Sequence, residues 1–277
     1  MRMKLLSQEP LREEGKFKLF QGKICMPHFF IKSANINSGC AIINDTETYR
    51  HIARSLRAKV GEKLLLIDEN EIQYETSIVE ITSNTVRAKV INSYKSERKL
   101  GFNLYLAQSP LRSDAQSELV EKATELGVSG IYPIITDNCA LNKTVVQKKI
   151  SKWQKIMFEA SKQCERANIP TCFEETTIEK LLSEHNFDYV LAFCERLCVE
   201  TFREYVTNIG RKFFDNTNIL VIVGPEGGFS DREFDFFAEK QIKMLTLGNL
   251  ILKADTAVTV ALGNIIYEYN SFRQDKK

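Results

Sequence analysis

A glycine-rich loop that directly follows an apolar run is the first place in this sequence where chemistry is expected. Residues 224–228 read Gly-Pro-Glu-Gly-Gly and follow the unbroken apolar run Ile219–Val223. A mostly β-branched run of this kind is typical of a parallel strand buried on both faces. Glycine lets a ligand approach the backbone closely, and proline fixes one backbone angle. Ser230, followed three residues later by Glu233, predicts a capped helix after the loop.

A second loop of the same kind lies near the C-terminus. Met244–Leu247 is a short apolar run that meets Gly248, and an apolar run resumes at Ala257. Asp255 or Thr256 is predicted to cap the last helix. A single Gly-Gly pair is more often an ordinary turn than a ligand loop. Two such loops at the carboxyl edge of one parallel sheet, however, predict a pocket.

These loops require a parallel sheet covered by helices, and the chain has that pattern from Leu100 onwards. Strands and helices alternate there, as they do in parallel α/β domains. The predicted elements, in chain order, are a strand Phe102–Ala107, a helix Ser113–Leu126, a strand Ile131–Ile135, a helix Ser151–Ala167, a helix Ile178–His185, a strand Tyr189–Phe193, a helix Cys198–Gly210, and strands Ile219–Val223 and Met244–Leu247.

A β-rich domain is predicted ahead of the α/β domain. Short runs that alternate polar and apolar residues, with close turns between them, favour a small β-barrel from Phe29 to about Ser93. Residues 94–99 are polar and predict a linker. The predicted domains are therefore a β-barrel over 26–95 and an α/β domain over 100–272. Residues 1–25 form an N-terminal extension, which is either flexible or packed on the surface as an extra element.

A basic helix is predicted inside the β-rich domain, over Thr46–Lys59. His51, Arg54 and Arg57 lie on it, and arginines at this spacing present a stripe that suits phosphate. A solvated helix face is the alternative interpretation, and charge patterning alone favours it.

Composition narrows the classes of function. With 277 residues, 43% of them hydrophobic and 27% charged, the chain is expected to be soluble and globular. Its net charge of +2 permits nucleic-acid binding without arguing for it. No apolar run reaches the roughly 18 residues of a membrane span, and no signal core is present. Seven scattered cysteines without C-x-x-C predict neither disulfides nor a metal site, and indicate a reducing cytosol. A metal pair at Cys194 and Cys198, on one helical face, is a minor alternative.

The glycine loops do not have the residues of a phosphate cradle. Neither G-x-G-x-x-G nor G-x-x-x-x-G-K-[ST] occurs. Pro225 removes one N–H from the loop and Glu226 adds a negative charge, so both work against an anion. A cationic or neutral adenosine-type ligand, such as a sulfonium, suits this loop better. No Ser/His/Asp arrangement stands out around the three histidines.

Several motifs together resemble the RsmE-type ribosomal RNA uridine N3-methyltransferases of the SPOUT class. The similarity runs from Met26 to about Tyr269. Three ordered motifs at matching intervals carry it, namely Lys122-Ala123-Thr124-Glu125-Leu126-Gly127-Val128, Gly224-Pro225-Glu226-Gly227-Gly228-Phe229-Ser230 and Leu247-Gly248-x-x-Ile251-Leu252-Lys253-Ala254-Asp255-Thr256-Ala257. Shorter matches are Met26-Pro27-x-Phe29-Phe30, His51-x-x-Arg54-x-Leu56-Arg57 and Glu159-Ala160-x-x-Gln163-x-x-Arg166 with Pro170.

The resemblance implies a fold, a cofactor and partners. It implies a PUA-like N-terminal β-barrel that helps to hold RNA, and a C-terminal α/β SPOUT domain with a trefoil knot. It implies S-adenosylmethionine as cofactor, no metal, and a cytoplasmic homodimer. The implied reaction methylates N3 of one uridine in 16S ribosomal RNA of the small subunit.

The resemblance also implies roles for individual residues. Those implied to bind the cofactor are Phe193, Gly224, Pro225, Glu226, Gly227, Gly228, Leu247, Gly248, Leu250 and Leu252. Those implied to contact RNA are His28, His51, Arg54, Arg57, Arg112 and Arg166. Those implied to take part in catalysis are Arg166, Glu226, Lys253 and Asp255.

Each catalytic candidate has a structural alternative. Arg166 would pair with Glu159 or Glu165, Asp255 would only cap the last helix, and Glu226 would only brace its loop. The last loop also departs from the family, which has Pro-Arg where this chain has Asn249-Leu250. Two other functions therefore stay open: a SPOUT ribose 2′-O-methyltransferase, and a non-catalytic RNA-binding relative.

Overall fold

The computed structural model describes residues 19–20, 23–24, 26–195 and 198–274. It divides the chain into two compact units, with the boundary between Tyr94 and Lys95. Most of the predicted extension over residues 1–25 lies outside the described residues. Two short strands of it, β1 (Leu19–Phe20) and β2 (Lys23–Ile24), pair antiparallel. Within the described ranges, no helix has the length and apolar character needed to cross a membrane.

The first unit contains a six-stranded sheet with the order β3-β6-β7-β8-β5-β4. Its strands and helix are β3 (His28–Phe30), β4 (Ile36–Asn37), β5 (Cys40–Ile43), α1 (Thr46–Arg50), β6 (Lys63–Ile67), β7 (Ile72–Ile81) and β8 (Val86–Lys95). Apolar side chains that alternate along these strands, such as Phe29 and Leu66, form one core together with Ile52 from the turn after α1. The predicted β-rich domain is therefore present in the first unit.

The helix predicted over Thr46–Lys59 is shorter than expected. Asp45 caps α1, and a π-helical turn over His51–Ser55 continues it. Arg57 then has a φ of +51°. This value lies outside the right-handed helical region of φ and ψ, so the helix does not continue past it. Leu56 follows the π-helical turn and closes it with a hydrogen bond to the carbonyl of His51 (2.9 Å).

The second unit is built on a six-stranded sheet in which every described pairing is parallel. Its elements, in chain order, are β9 (Asn103–Gln108), α2 (Ser113–Glu125), β10 (Gly130–Pro133), α3 (Lys143–Gln163), β11 (Thr171–Cys172), α4 (Ile178–Glu184), β12 (Tyr189–Phe193), α5 (Phe202–Ile209), β13 (Asn218–Val223), α6 (Asp231–Glu239), β14 (Lys243–Leu245) and α7 (Ala254–Gln274). The strand order is β11-β10-β9-β13-β12-β14. The predicted parallel α/β domain is thus confirmed.

Helices cover both faces of this sheet, and β13 shows why the sequence requires it. Ile219 and Val221 face a core with α2, α3 and α7, whereas Leu220 and Ile222 face a core with α4 and α6. All four residues are completely buried. An unbroken apolar run is what a strand with two covered faces needs.

Two helix starts differ from the prediction, and in both helices the capping residue marks the true start. The helix α3 begins eight residues earlier than expected, where Asn142 accepts a hydrogen bond from the Val145 N–H. The helix α5 begins later than expected, at Phe202, because Thr201 caps it and forms a capping box with Glu204 in its first turn. A capping residue satisfies backbone N–H groups that the helix itself leaves open, so it decides where the first turn starts.

The last helix, α7, connects the carboxyl edge of the sheet to the far side of the core. Val258, Leu262 and Ile265 are buried in the larger core. Near its C-terminal end, the Tyr269 ring packs edge-on against Phe102, with ring centroids 5.1 Å apart.

Candidate functional site

Three strands of the second unit end level with one another. Phe193 of β12 is the register partner of both Val223 in β13 and Leu245 in β14. The loops that follow these strands therefore begin side by side at one edge of the sheet. They surround a cavity of 780 Å³, which is within the usual range of about 300–1,000 Å³ for small-molecule sites.

The glycine loop forms one wall of this cavity. Gly224 and Pro225 are buried, and the Gly228 N–H donates to the Pro225 carbonyl (3.0 Å), which closes a tight turn. Gly228 has a φ of +70°, a conformation that glycine adopts without strain. The Phe229 ring lies against Gly224 so closely that a Cβ there would be 3.2 Å from it. The turn is therefore stiff, and main-chain groups line the wall.

The capped helix predicted after this loop is confirmed. The Ser230 hydroxyl accepts from the Glu233 N–H, and the Glu233 carboxylate accepts from the Ser230 N–H (2.8 Å). Both sides of the capping box are present, so α6 starts at a defined point.

The loop after β14 forms the opposite wall. Gly248 has a φ of +123°, and the Thr246 hydroxyl bonds to both its N–H and its carbonyl (3.1 Å each). Leu250 and Ile251 are 80% and 68% exposed. The prediction that Asp255 or Thr256 caps the last helix is wrong, because α7 already begins at Ala254 and places Asp255 inside its first turn.

All ten residues predicted to bind a cofactor line the cavity. They are Phe193, Gly224, Pro225, Glu226, Gly227, Gly228, Leu247, Gly248, Leu250 and Leu252. Other lining residues were not predicted individually as cofactor contacts, among them Leu111, Ala115, Cys194, Glu195, Phe229, Phe234 and Ile251. Leu111 and Ala115 follow β9, which neighbours β13, so the strand order would have found them.

The charged side chains of the lining are mostly acidic. Glu195, Glu226 and Asp255 contribute carboxylates, and Lys253 contributes one ammonium group. The remaining lining is largely apolar. An excess of carboxylates beside apolar surface favours a ligand that is cationic and has a flat apolar part, and it disfavours a polyphosphate.

Of the four predicted catalytic residues, the structure brings three to the cavity. Glu226 and Lys253 are exposed and Asp255 is half-buried, and all three line it. The fourth, Arg166, is not among the lining residues over the described part of the chain.

Arg166 is buried and bonds to backbone carbonyls. It is only 8% exposed, and its guanidinium donates to the carbonyls of Thr124 and Val128 (2.8 Å each) and to Oδ1 of Asn168 (3.1 Å). These carbonyls lie at and just beyond the C-terminal end of α2, where a cation also complements the helix dipole. Burial lowers the pKa of Arg166 to about 10. The guanidinium is thus held inside the protein, and the predicted contact with phosphate or base does not fit this placement.

The two glutamates that were expected to pair with Arg166 have other partners. Glu159 bonds to Lys162 (2.7 Å), and Glu165 bonds to Arg98. Arg166 lies beyond the end of α3, so spacing along that helix does not govern its contacts.

The residues predicted to contact RNA lie in both units, and they differ in how exposed they are. In the first unit, His51, Arg54 and Arg57 are exposed. His28, by contrast, is buried and packs edge-on against Phe30, so its prediction as an RNA contact does not fit the structure. In the second unit, Arg112 is exposed immediately before α2.

No metal centre is found among the described residues, where no group of three or more His, Cys, Asp and Glu side chains is suitably placed. Cys194 and Cys198 do not lie on one helical face, since Cys194 directly follows β12 and α5 begins only at Phe202. Burial raises the pKa of both thiols.

Comparison with known protein families gives two matches. A model described as an RNA methyltransferase domain matches residues 98–266, and one described as an RNA methyltransferase PUA domain matches residues 43–91. The chain is 30% identical to the ribosomal RNA small subunit methyltransferase E 2 of Borreliella burgdorferi over 83% of this chain and 93% of that protein. It is 24% identical to ribosomal RNA small subunit methyltransferase E of Bacillus subtilis over 83% of this chain and 91% of that protein.

Solved structures show the same fold. A ribosomal RNA small subunit methyltransferase E from Neisseria gonorrhoeae, bound to S-adenosyl methionine, superposes with a TM-score of 0.75 at 22% identity. The alignment covers 88% of this chain and 98% of that one. A methyltransferase from Legionella pneumophila in complex with the same cofactor gives a TM-score of 0.75 at 24% identity, again over 88% and 98% of the two chains.

Proposed function

Because the chain belongs to the ribosomal RNA small subunit methyltransferase E family, we propose that it transfers a methyl group from S-adenosylmethionine to N3 of one uridine in small-subunit (16S) ribosomal RNA. The observation that carries the proposal is the cavity. Three loops that the family resemblance implies as cofactor loops follow three strands that end level, and together they enclose one space of suitable size.

The residues of the cavity fit S-adenosylmethionine. The cofactor carries a sulfonium and an ammonium group, and three carboxylates with a single ammonium group line the cavity. Its adenine ring is flat and weakly polar, and side chains such as Phe193, Leu250 and Leu252 offer apolar surface for it. The cofactor supplies an electrophilic methyl group. The backbone of the glycine loop and of residues 247–252 would hold it.

The reaction asks the protein for two further contributions. Uridine N3 carries a proton and is a weak nucleophile until that proton leaves, so a base must accept it. Glu226 and Asp255 are the carboxylates that we assign to this step. Lys253, in the same loop, would stabilise the negative charge that develops on the uracil oxygens. All three lie on the cavity wall, which is where positioning against the methyl group is decided.

RNA contacts are assigned to exposed cations. His51, Arg54 and Arg57 of the first unit, and Arg112 of the second, are accessible to phosphate. The match of residues 43–91 to an RNA methyltransferase PUA domain supports a role for the first unit in holding RNA. Sequence-specific RNA recognition usually targets unpaired bases, so phosphate contacts of this kind orient the substrate and do not select the uridine.

We also propose four further features that the resemblance to the family implies. They are a β-barrel in the first unit, a trefoil knot in the second, a homodimer and a cytoplasmic location. The exposed apolar side chains Leu250, Ile251 and Tyr267 support self-association, because water-exposed apolar surface favours contact with a partner. Light scattering of the purified protein measures the oligomeric state, and a monomer at every concentration would remove the dimer from the proposal.

Nucleoside mass spectrometry tests the substrate atom. Small-subunit ribosomal RNA from cells that lack this gene should contain no 3-methyluridine at the target site. Purified protein with labelled S-adenosylmethionine should restore it on the unmodified subunits. Label found in a 2′-O-methyl nucleoside would instead identify a ribose 2′-hydroxyl as the target. Cofactor binding without any transfer would indicate a non-catalytic RNA-binding relative.

A further inference from the structure

A second loop holds the glycine loop from outside the cavity. It follows β10 and contains Asp137 and Asn138. The side-chain amide of Asn138 donates to the carbonyls of both Gly227 and Gly228, at 3.3 and 3.2 Å. One side chain from a different part of the chain thus contacts the two residues at the tip of the proposed cofactor loop.

The carboxylate of Glu233 joins the same two loops beneath this contact. One oxygen accepts from the Asp137 N–H (3.1 Å) and the other accepts from the Ser230 N–H (2.8 Å). Glu233 is only 3% exposed. A buried carboxylate needs such donors, so the two backbones have little freedom to separate.

An exposed network encloses the contact on its other side. The Ser230 hydroxyl donates to Asp137 (2.5 Å), and Arg232 donates to both oxygens of Asp137 (3.0 and 2.8 Å) and to Glu179 (2.6 Å). A bidentate arginine fixes direction as well as distance. The Asp137 carboxylate is therefore oriented, and the hydrogen bond from the Asp137 N–H to Glu233 holds the backbone next to Asn138.

Gly227 also packs closely against the side chain of Asn138. A Cβ added at Gly227 would lie 3.1 Å from the Cβ of Asn138. Gly227 and Gly228 line the cavity, whereas the side chain that contacts them belongs to residue 138, which does not line it among the described residues. The loop thus lies between the cavity and Asn138.

We propose that Asn138 is a positioning residue for the cofactor loop: its amide holds the Gly227 and Gly228 carbonyls in the arrangement that binds S-adenosylmethionine. This inference rests on the function proposed above. It assigns Asn138 no contact with the cofactor or the reacting atoms. Because the amide acts through two carbonyls, a carboxylate at the same position removes both donors and repels both acceptors.

The experiment compares Asn138→Asp and Asn138→Ala with the wild type by two readouts. The first is amide hydrogen exchange over residues 226–230 without ligand, where the Gly228 N–H reports whether the turn to Pro225 stays closed. The second is the Kd for S-adenosylmethionine by calorimetry. Asn92→Asp, at an exposed position on β8, is the matched control. We expect faster loop exchange, and a Kd raised about tenfold for Asn138→Asp and less for Asn138→Ala.

A double variant tests whether Gly227 and Asn138 are directly coupled. Gly227→Ala alone should weaken cofactor binding, because its new methyl group meets Asn138. Asn138→Gly should weaken binding in the wild type but improve it in the Gly227→Ala background, where it removes the collision. A reversed sign would show that the two residues are coupled through direct contact.

The outcomes separate this inference from the proposed function. Unchanged loop exchange and unchanged Kd in Asn138→Asp would overturn the positioning role, as would additive losses in the double variant. A wild-type protein that binds no S-adenosylmethionine would overturn the proposed function, and hydrogen exchange would still decide whether Asn138 holds the loop.

Discussion

Replacing Arg166 with methionine separates a structural from a catalytic role for this residue. Methionine keeps much of the side-chain length but removes every donor. In the wild type the guanidinium satisfies the carbonyls of Thr124 and Val128 at 2.8 Å each, and the site is 8% exposed. Arg166→Met therefore leaves two buried acceptors without their donor.

The size of the effect follows from these contacts. Each buried polar group left unsatisfied costs about 1–3 kcal/mol. Removing the charge from the C-terminal end of α2 adds roughly 0.3–1 kcal/mol. Relief from burying the guanidinium, which lowers its pKa to about 10, offsets part of this. We expect a net loss of about 2–4 kcal/mol in the free energy of unfolding, or roughly 5–15 °C in the Tm of the second unit.

Calorimetry provides the assay, together with cofactor affinity measured well below the new Tm. We expect Arg166→Met to lower the Tm while the folded variant binds S-adenosylmethionine with nearly wild-type affinity. Arg211→Met is the matched control, because Arg211 is more exposed and its contact with Asp215 is long (3.7 Å); its effect should stay within about 0.5 kcal/mol. An unchanged Tm with methyl transfer reduced a hundredfold would refute the structural role and restore Arg166 to the catalytic set.

Three further predictions concern the loops around the cavity. Ser230→Ala removes one half of the capping box and should cost about 1 kcal/mol of stability, measured by urea denaturation. Hydrogen bonds from Arg232, and then one from Ser230, lower the pKa of Asp137 from 3.8 to about 2. The ionised Asp137 therefore stabilises the folded state above pH 3.8, and this contribution is lost as the pH falls towards 2. Asp137→Asn should flatten the dependence of the free energy of unfolding on pH in that window. Leu250→Asn should leave the Tm nearly unchanged because Leu250 is 80% exposed, yet it should weaken binding of S-adenosylmethionine in calorimetry; equal affinity would remove Leu250 from the cofactor site.

The sheet and the cavity were predictable because their signals are local and mutually consistent. The run Ile219–Val223 is apolar at every position, which is typical of a strand covered on both faces. The glycine loop and the capped helix follow it without interruption. Each of these features is readable from adjacent residues, so no long-range information was needed.

Contacts between distant segments were not predictable in the same way. The hydrogen bonds from Arg166 to the end of α2 join residues about 40 positions apart, and those from Asn138 to the glycine loop join residues about 90 apart. A single sequence contains no signal for such pairs. A motif marks a residue such as Arg166 as noteworthy without revealing whether it faces a ligand or supports the fold.

The predicted helix boundaries were wrong for a different reason. The first two turns of α3 are lysine-rich and contribute only Val146 to its buried residues, so the apolar stripe is sparse before Trp153. The capping residue Asn142 lies directly before these turns. Where a helix starts in solvent, the cap is a better guide to its first residue than the hydrophobic period.

The helix α7 links the cavity to a remote part of the unit. Its first turn lines the cavity, and Tyr269, 15 residues after Ala254 or about 22 Å along the helix at 1.5 Å per residue, packs against Phe102. A ligand present at 100 times its Kd adds about 2.7 kcal/mol to the stability of the state that binds it. Amides that open only when α7 detaches therefore become protected when the cavity fills, and occupancy can be read from the slow exchange of hydrogens near Tyr269.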